Sequence, residues 1–345
     1  MKVVCPKTEE ELDELLSRPT EPLVEDVRSF GPRMLVLGAG GKMGPTLCWM
    51  ARRAADLAGR PDLEVVAVSR FTNPTVRDWF ETRGIRTVAM DLLDPHQRAT
   101  LPGASEVVVM LGYKFAADST PESEFWGRNA YLPAALVEQC RAARVVCFST
   151  GNVYPMVAAE TGGCTEETPP GPVGAYASAA RGRELLVEFL SRQHNIPSLL
   201  LRLNYAVDLR YGVPVDVAVM LNNGEPVPLD VPYVNFVWQR YANEVALRAF
   251  RLCSSPAAVL NVTGPEIIAV SELAERLATR LGVPCRFTGS PGQTAFLSNA
   301  SRCHDLFGLP DLDAWALVEL VAAWIKQGGR TLGRPTKFWV RSGRF

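Results

Sequence analysis

Apolar residues fall along this chain in two alternating patterns: short continuous runs, and longer stretches in which they return every three or four positions. The runs Met34–Leu37, Leu63–Ser69, Arg86–Met90, Glu106–Leu111, Arg144–Ser149 and Ser198–Arg202 have strand length and are rich in valine and leucine. Between them lie helical patterns, one through Leu47, Met50, Ala51 and Ala54, a short one over Thr75–Arg83, and longer ones over Asn129–Ala142 and Tyr176–Gln193. Strands that are apolar on both faces can turn neither face to water. The alternation therefore predicts an α/β fold, a parallel sheet covered by helices on both sides.

From about Tyr205 the regularity loosens, with Pro214, Asn222-Asn223-Gly224, Pro226, Pro228 and Pro232 breaking the pattern. Helical patterns return over Asn243–Leu252, Ser271–Leu281 and Ala314–Lys326, interleaved with a strand at Val259–Val262. This reads as a smaller C-terminal α/β lobe. The expected division is a helical extension over 1–31, a nucleotide-binding domain over 32–204, a substrate lobe over 205–329 partly interleaved with it, and a tail over 330–345. The extension opens with Thr8 ahead of Glu9, Glu10, Glu11 and Leu12, a capped acidic helix followed by a segment punctuated by Pro19 and Pro22. In the tail, Arg330, Arg334, Lys337, Arg341 and Arg344 alternate with Phe338, Trp339 and Phe345; a segment packed by its aromatics is expected rather than a nucleic-acid arm.

Composition removes several function classes. With 36 basic against 37 acidic residues, no overall field draws the chain to nucleic acid or to a membrane surface. The N-terminus lacks the charged-then-apolar form of a signal peptide, and no run approaches the ~18 apolar residues of a membrane span. The eight cysteines contain no C-x-x-C pair and read as reduced thiols, so a cytoplasmic protein is expected.

The one stretch that carries chemistry on its face is the turn after the first strand, Gly38-Ala39-Gly40-Gly41-Lys42-Met43-Gly44. Strand, glycine turn and helix together make a phosphate-binding element: the turn lets backbone N–H groups approach a diphosphate, and the positive end of the following helix faces it. This makes the fold a Rossmann-type doubly wound sheet. In such folds the residue ending the second strand meets the ribose, and an acidic side chain there accepts from the 2′-hydroxyl. Ser69-Arg70 instead favours a 2′-phosphate, hence NADP over NAD. After the third strand, Asp91-Leu92 is placed to meet the adenine, or Asp91 is a turn residue.

Glycines at 38, 41 and 44 follow a G-x-x-G-x-x-G spacing, joined downstream by Phe148-Ser149-Thr150-Gly151-Asn152-Val153-Tyr154-Pro155 and by Ala175-Tyr176 opening a helix. With Asn129, Leu201-Arg202-Leu203-Asn204, Asn223-Gly224-Glu225-Pro226 and Val259-Leu260-Asn261, these segments resemble the extended short-chain dehydrogenase/reductase family, of the NAD-dependent epimerase/dehydratase type, over roughly residues 33–325. The resemblance implies a nicotinamide cofactor and an enzyme acting on a hydroxyl or keto carbon of a sugar or nucleotide sugar. It implies Tyr176 as the proton-transfer group and Thr150 as hydrogen-bond partner to the substrate oxygen, in a homodimer packed through the helices near Asn129 and Tyr176.

One position departs from the family's pattern. Four residues after the tyrosine the family carries a lysine that holds the nicotinamide ribose; here stands Ala180. Arg181, five residues after Tyr176, lies about 140° around the helix, while Arg183 returns to nearly the same face but about 10 Å along the axis, a tethered charge rather than a proton relay. Either another group serves the chemistry or the protein binds the dinucleotide without turnover, as a sensor or scaffold; a carbonyl reductase on a non-sugar substrate is equally compatible. Tyr113, Lys114, Trp126, Asn204 and Asp208 are the candidate substrate contacts, Tyr113 and Lys114 because a loop after the fourth strand opens at the carboxyl edge of the sheet. The histidines, His96, His194 and His304, sit at helix ends or beside residues that point apart, and no metal site is expected.

Overall fold

The computed structural model describes residues 4–113 and 121–344. Its N-terminal extension forms α1 (Glu9–Leu16), whose first turn is capped by Thr8, and α2 (Glu21–Val27). The alternating region then gives β1 (Arg33–Leu37), α3 (Gly44–Leu57), β2 (Glu64–Ser69), α4 (Pro74–Glu81), β3 (Arg86–Ala89), α5 (Pro95–Arg98) and β4 (Glu106–Val109). It continues with α6 (Glu122–Trp126), a π-helical turn over Gly127–Tyr131, α7 (Leu132–Gln139), β5 (Arg144–Thr150), α8 (Gly174–His194) and β6 (Ser198–Leu203). A seventh strand, Ala258–Val262, completes one parallel sheet in the order seventh, β6, β5, β4, β1, β2, β3.

Alternation along β1 shows why its residues are apolar throughout. Met34 and Val36 point to the face covered by α3, meeting Leu47, Met50, Ala51 and Ala54. Leu35 and Leu37 point to the opposite face, covered by α7 and α8 through Leu132, Leu136, Val137 and Val187. Every strand in the middle of the sheet is sandwiched in this way.

The chain after β6 builds α9 (Val213–Asn222), α10 (Gln239–Arg248), α11 (Val270–Leu281), α12 (Ser301–Phe307) and α13 (Ala314–Lys326). Helices α9, α11 and α13 share a separate core through Val217, Leu221, Leu273, Leu277, Val318 and Val321. Leu12 and Leu16 of α1 enter this core from one end of the chain, and Phe338 of the tail enters it from the other. Helix α10, by contrast, packs on α3 against the main sheet, and the seventh strand pairs with β6 from Ala258↔Leu199 to Val262↔Leu203.

Proline positions account for the elements the hydrophobic pattern did not predict. Pro214 and Pro22 read as breaks, yet each lies in the first turn of a helix, α9 and α2. There the missing N–H would have had no partner in any case. Helix α12 is only seven residues long and gives too little periodicity to see. All eight cysteines are free thiols. Among the described residues no helix is long and apolar enough to cross a membrane.

Candidate active site

The glycine turn is shaped by how closely its atoms approach one another. Gly38 leaves β1 with φ +87, a conformation side chains resist, and its N–H and that of Ala39 both donate to Val68 O, at 2.9 and 3.1 Å. Gly44 starts α3 so close to the turn that a Cβ there would stand 2.1 Å from Ala39 O. Gly41 is different: its nearest neighbour for a Cβ is Gly38 O at 3.5 Å, an ordinary contact, and the residue is exposed. Helix α3 has no side-chain cap, whereas α1, α4, α5 and α13 each have one. The first-turn donors of α3 therefore lack a side-chain acceptor, which suits a diphosphate at the positive end of the helix.

A cleft of about 620 Å³ opens at this turn, bordered by Gly38, Gly41 and Gly44 and also by Tyr113, Ser149 and Tyr176. A nicotinamide dinucleotide would fit this donor set, the turn and the start of α3 being the groups that could hold its phosphates. Met43 lines the cleft from a largely buried position. Lys42 donates from Nζ to Ala206 O at 2.7 Å and lies 4.3 Å from the centre of the Tyr211 ring. Burial pushes the Lys42 ammonium down to about 8, against the opposing pull of Asp208. Arg183 reaches the same cleft and donates from Nη1 to Leu111 O at 2.9 Å.

Tyr176 occupies the first turn of α8, on the cleft wall. Ser149 lines the cleft with it, and its Oγ donates to Glu184 Oε1 at 2.7 Å. Glu184 is buried and accepts from Arg202 Nε and Nη2 at 2.9 and 2.8 Å and from Arg181 Nη1 at 3.0 Å. Burial raises its carboxyl, but Arg202, through hydrogen bonds and charge, and then Ser149 hold it below the usual glutamate range. Arg202 also donates to Tyr154 OH at 2.7 Å, which donates to Asn261 Oδ1 at 2.9 Å. Thr150 ends β5 and caps the short 3-10 turn over Gly151–Val153, accepting from Asn152 N at 3.2 Å. Ala180 is fully buried among Val153, Tyr154 and Cys164.

The remaining predicted positions fall in different places. Ser69 lies against Gly40, where a Cβ would come within 2.6 Å of its Oγ, and Arg70 is exposed with no hydrogen bond or ion pair to any described residue. Asp91 forms a turn, its Oδ1 accepting from Leu93 N at 3.0 Å, and Leu92 is buried. Tyr113 lines the cleft, its backbone fixed at both N–H and C=O by the Asn129 amide, at 2.7 and 2.8 Å. Lys114 lies outside the described residues. Trp126 is not among the residues lining this cleft; it packs on Gly182 of α8 and donates to Glu122 Oε1 at 3.3 Å. Asn204 is buried and donates to Asn235 Oδ1 at 2.7 Å. Asp208 borders a second cleft of about 600 Å³ and pairs with Arg210 at 3.0 Å.

Ser149, Leu332 and Arg334 are among the cleft residues that the sequence pattern does not reveal. Ser149 was passed over for its neighbour, although alternation along β5 places Cys147 and Ser149 on the α8 side of the sheet. Leu332 and Arg334 come from the tail, and no local signal places a tail beside a distant turn.

The comparisons with known proteins agree with this architecture. The UDP-galactose 4-epimerase structure superposes with a TM-score of 0.68 at 20% identity, covering 86% of this chain and 99% of that one. The dTDP-glucose 4,6-dehydratase DesIV from Streptomyces venezuelae, with NAD and TYD bound, gives 0.72 at 19% identity, covering 86% and 97%. The UDP-glucuronic acid 4-epimerase from Bacillus cereus, in complex with NAD, gives 0.69 at 18% identity, covering 86% and 99%. At such identities the likeness speaks for the fold. No curated protein sequence matches the chain. A family model does match, over residues 34–207, just over half the chain and the whole stretch from β1 past β6. The chain belongs to the NAD dependent epimerase/dehydratase family, a family of enzymes that use a nicotinamide dinucleotide.

Proposed function

We propose that this enzyme transfers hydride reversibly at a hydroxyl or keto carbon of a sugar or nucleotide sugar, with Tyr176 moving the accompanying proton. The observation that carries the reading is that Tyr176 borders the same cleft as Gly38, Gly41 and Gly44 of the glycine turn. When bound there, the nicotinamide ring supplies the hydride chemistry. The protein's part is acid–base and positional: a carbinol gives up hydride readily only as its hydroxyl proton leaves, and a phenol in the first turn of α8 is placed to take it. A hydroxyl at the end of β5 holds the substrate oxygen. The family motif assigns this to Thr150; Ser149 borders the cleft, but its proton is given to Glu184.

The test compares wild type with Tyr176→Phe, Thr150→Ala and Ser149→Ala on UDP- and dTDP-sugars, reading bound dinucleotide separately from turnover. Turnover untouched by Tyr176→Phe sinks the mechanism. If Ala180→Lys leaves turnover unchanged or lowers it, the buried alanine is part of a site that no longer uses a lysine there.

Two finer assignments belong to the same reading. An exposed Arg70 that pairs with no described residue, after a strand that ends without a carboxylate, supports NADP as the preferred dinucleotide. Tighter binding of NAD than of NADP, unchanged by Arg70→Glu, would remove it. A homodimer is supported by the apolar side chains left in water along α6–α8: Tyr131 is 58% exposed, Leu185 51% and Phe189 61%.

A further inference from the structure

We propose that Arg334, carried by the C-terminal segment, is a phosphate-binding residue of the dinucleotide site, pairing with the cofactor's diphosphate opposite the glycine turn. The proposal rests on reading the cleft at Gly38–Gly44 as the dinucleotide site. The segment runs past that turn from one cleft to the next. Arg330 and Leu332 border the 600 Å³ cleft together with Gly40 and Gly41, while Leu332 and Arg334 border the 620 Å³ cleft with Gly38, Gly41 and Gly44.

This segment is held at intervals along its length. Arg330 pairs with Glu9 of α1 at 2.8 Å, and Leu332 N donates to Arg210 O at 2.9 Å. Thr336 N donates to Asp216 Oδ2 at 2.7 Å, and Phe338 is fully buried in the smaller core. Arg341 donates to Thr294 O at 2.7 Å and to Asp230 O at 3.0 Å. Near the end, Gly343 lies so close to the residue before α8 that a Cβ would stand 2.1 Å from Val173 O. Arg334 is thus presented by an anchored strap.

Charge then decides what Arg334 is for. Among the described residues no carboxylate lines the 620 Å³ cleft, and the other two cations each donate to a main-chain carbonyl, Lys42 to Ala206 O and Arg183 to Leu111 O. Arg334 makes no hydrogen bond or ion pair with any described residue; its charge acts on the Tyr211 phenol, whose ring already carries Lys42. Lys42 of the turn, Tyr211 and Arg334 of the strap thus border one cleft. A diphosphate brings two negative charges, and the end of α3 offers only about half a unit of positive charge. A guanidinium facing it supplies the rest, with the planar fork that phosphate oxygens accept. Arg334 also edges a 340 Å³ cleft beside α9, but that cleft already holds the carboxylates Asp216 and Glu225.

The experiment titrates cofactor-free protein with the dinucleotide and with ADP-ribose, which keeps the diphosphate and lacks the nicotinamide. A parallel arm titrates the dinucleotide-saturated enzyme with UDP. Arg334→Ala is expected to weaken both the dinucleotide and ADP-ribose by about tenfold and to flatten their salt dependence, with Arg334→Lys in between and UDP changed less than twofold. Because Arg334 is exposed and unpaired, the melting temperature should not move. Unchanged dinucleotide and ADP-ribose affinities overturn the proposal, whether or not UDP binding falls; a fall in UDP binding alone reassigns Arg334 to the substrate. Wild type that binds neither the dinucleotide nor ADP-ribose refutes the reading of the cleft itself.

Discussion

Adding one methyl group at Gly44 tests the geometry of the turn directly. A Cβ there would lie 2.1 Å from Ala39 O, 2.6 Å from Ala39 C and 2.7 Å from Ala39 Cα, and all three are backbone atoms that cannot rotate aside. Ala39 is itself held by its hydrogen bond to Val68 O at 3.1 Å, so relief requires the turn to shift against β2. Overpacking of this kind costs typically 1–3 kcal/mol, and a backbone clash belongs at the upper end, about 3 kcal/mol. A chain of 345 residues at ~2.1 cal/mol/K each converts that into a fall of about 4 °C in melting temperature. Gly41→Ala is the control, since its Cβ meets nothing nearer than 3.5 Å and faces the cleft. Thermal melts and dinucleotide titrations of both variants should show Gly44→Ala losing stability and binding together, and Gly41→Ala losing binding alone. A Gly44→Ala protein melting within 1 °C of wild type with unchanged affinity would refute the reasoning.

Other outcomes follow from the same site. With its pKa near 8, the Lys42 amine should be about half neutral at pH 8, against about 0.4% for an ordinary lysine. Amine labelling read by peptide mass spectrometry should therefore give Lys42 a reactivity that rises near pH 8, below the range of an ordinary lysine, and reactivity that rises only above pH 10 would contradict this. Glu184→Ala strands the Arg202 guanidinium in the core and should cost about 3–5 kcal/mol by denaturant titration. Since the Glu184 carboxyl is held below its ordinary range, its stabilising share is present at neutral pH and lost as pH falls through the folded value, so Glu184→Gln should flatten the acid limb of the stability profile. Phe189→Glu on the exposed face of α8 should turn a dimer into a folded monomer by light scattering; a wild type that is monomeric at high concentration removes the dimer.

How far the sequence could be read depended on how far apart the interacting residues lie. The strands and helices of the main sheet announce themselves because each buries its own periodic pattern, and the glycine turn because its contacts span six residues. Pro22 and Pro214 hid two helices, since a proline that ends one element and a proline that begins the next look alike until the surrounding backbone is known. The Ser149–Glu184–Arg202 network joins β5, α8 and β6, three elements whose spacing along the chain has no period. Arg334 reaches the cleft because the fully buried Phe338, four residues on, is drawn into the core of the other lobe. The glycine turn it shares that cleft with lies nearly three hundred residues away in sequence, and only the folded chain brings them together.

The return of the chain to the main sheet has a consequence for gene engineering. The seventh strand, Ala258–Val262, comes from the middle of the sequence that builds the second lobe, and it seals the leucine-rich edge of β6. A fragment ending at residue 204 would leave that edge open as a template for other chains. A chimera that borrows the second lobe from a relative must accordingly splice in two inserts, one on either side of a retained strand, and must bring a matching C-terminal segment with them.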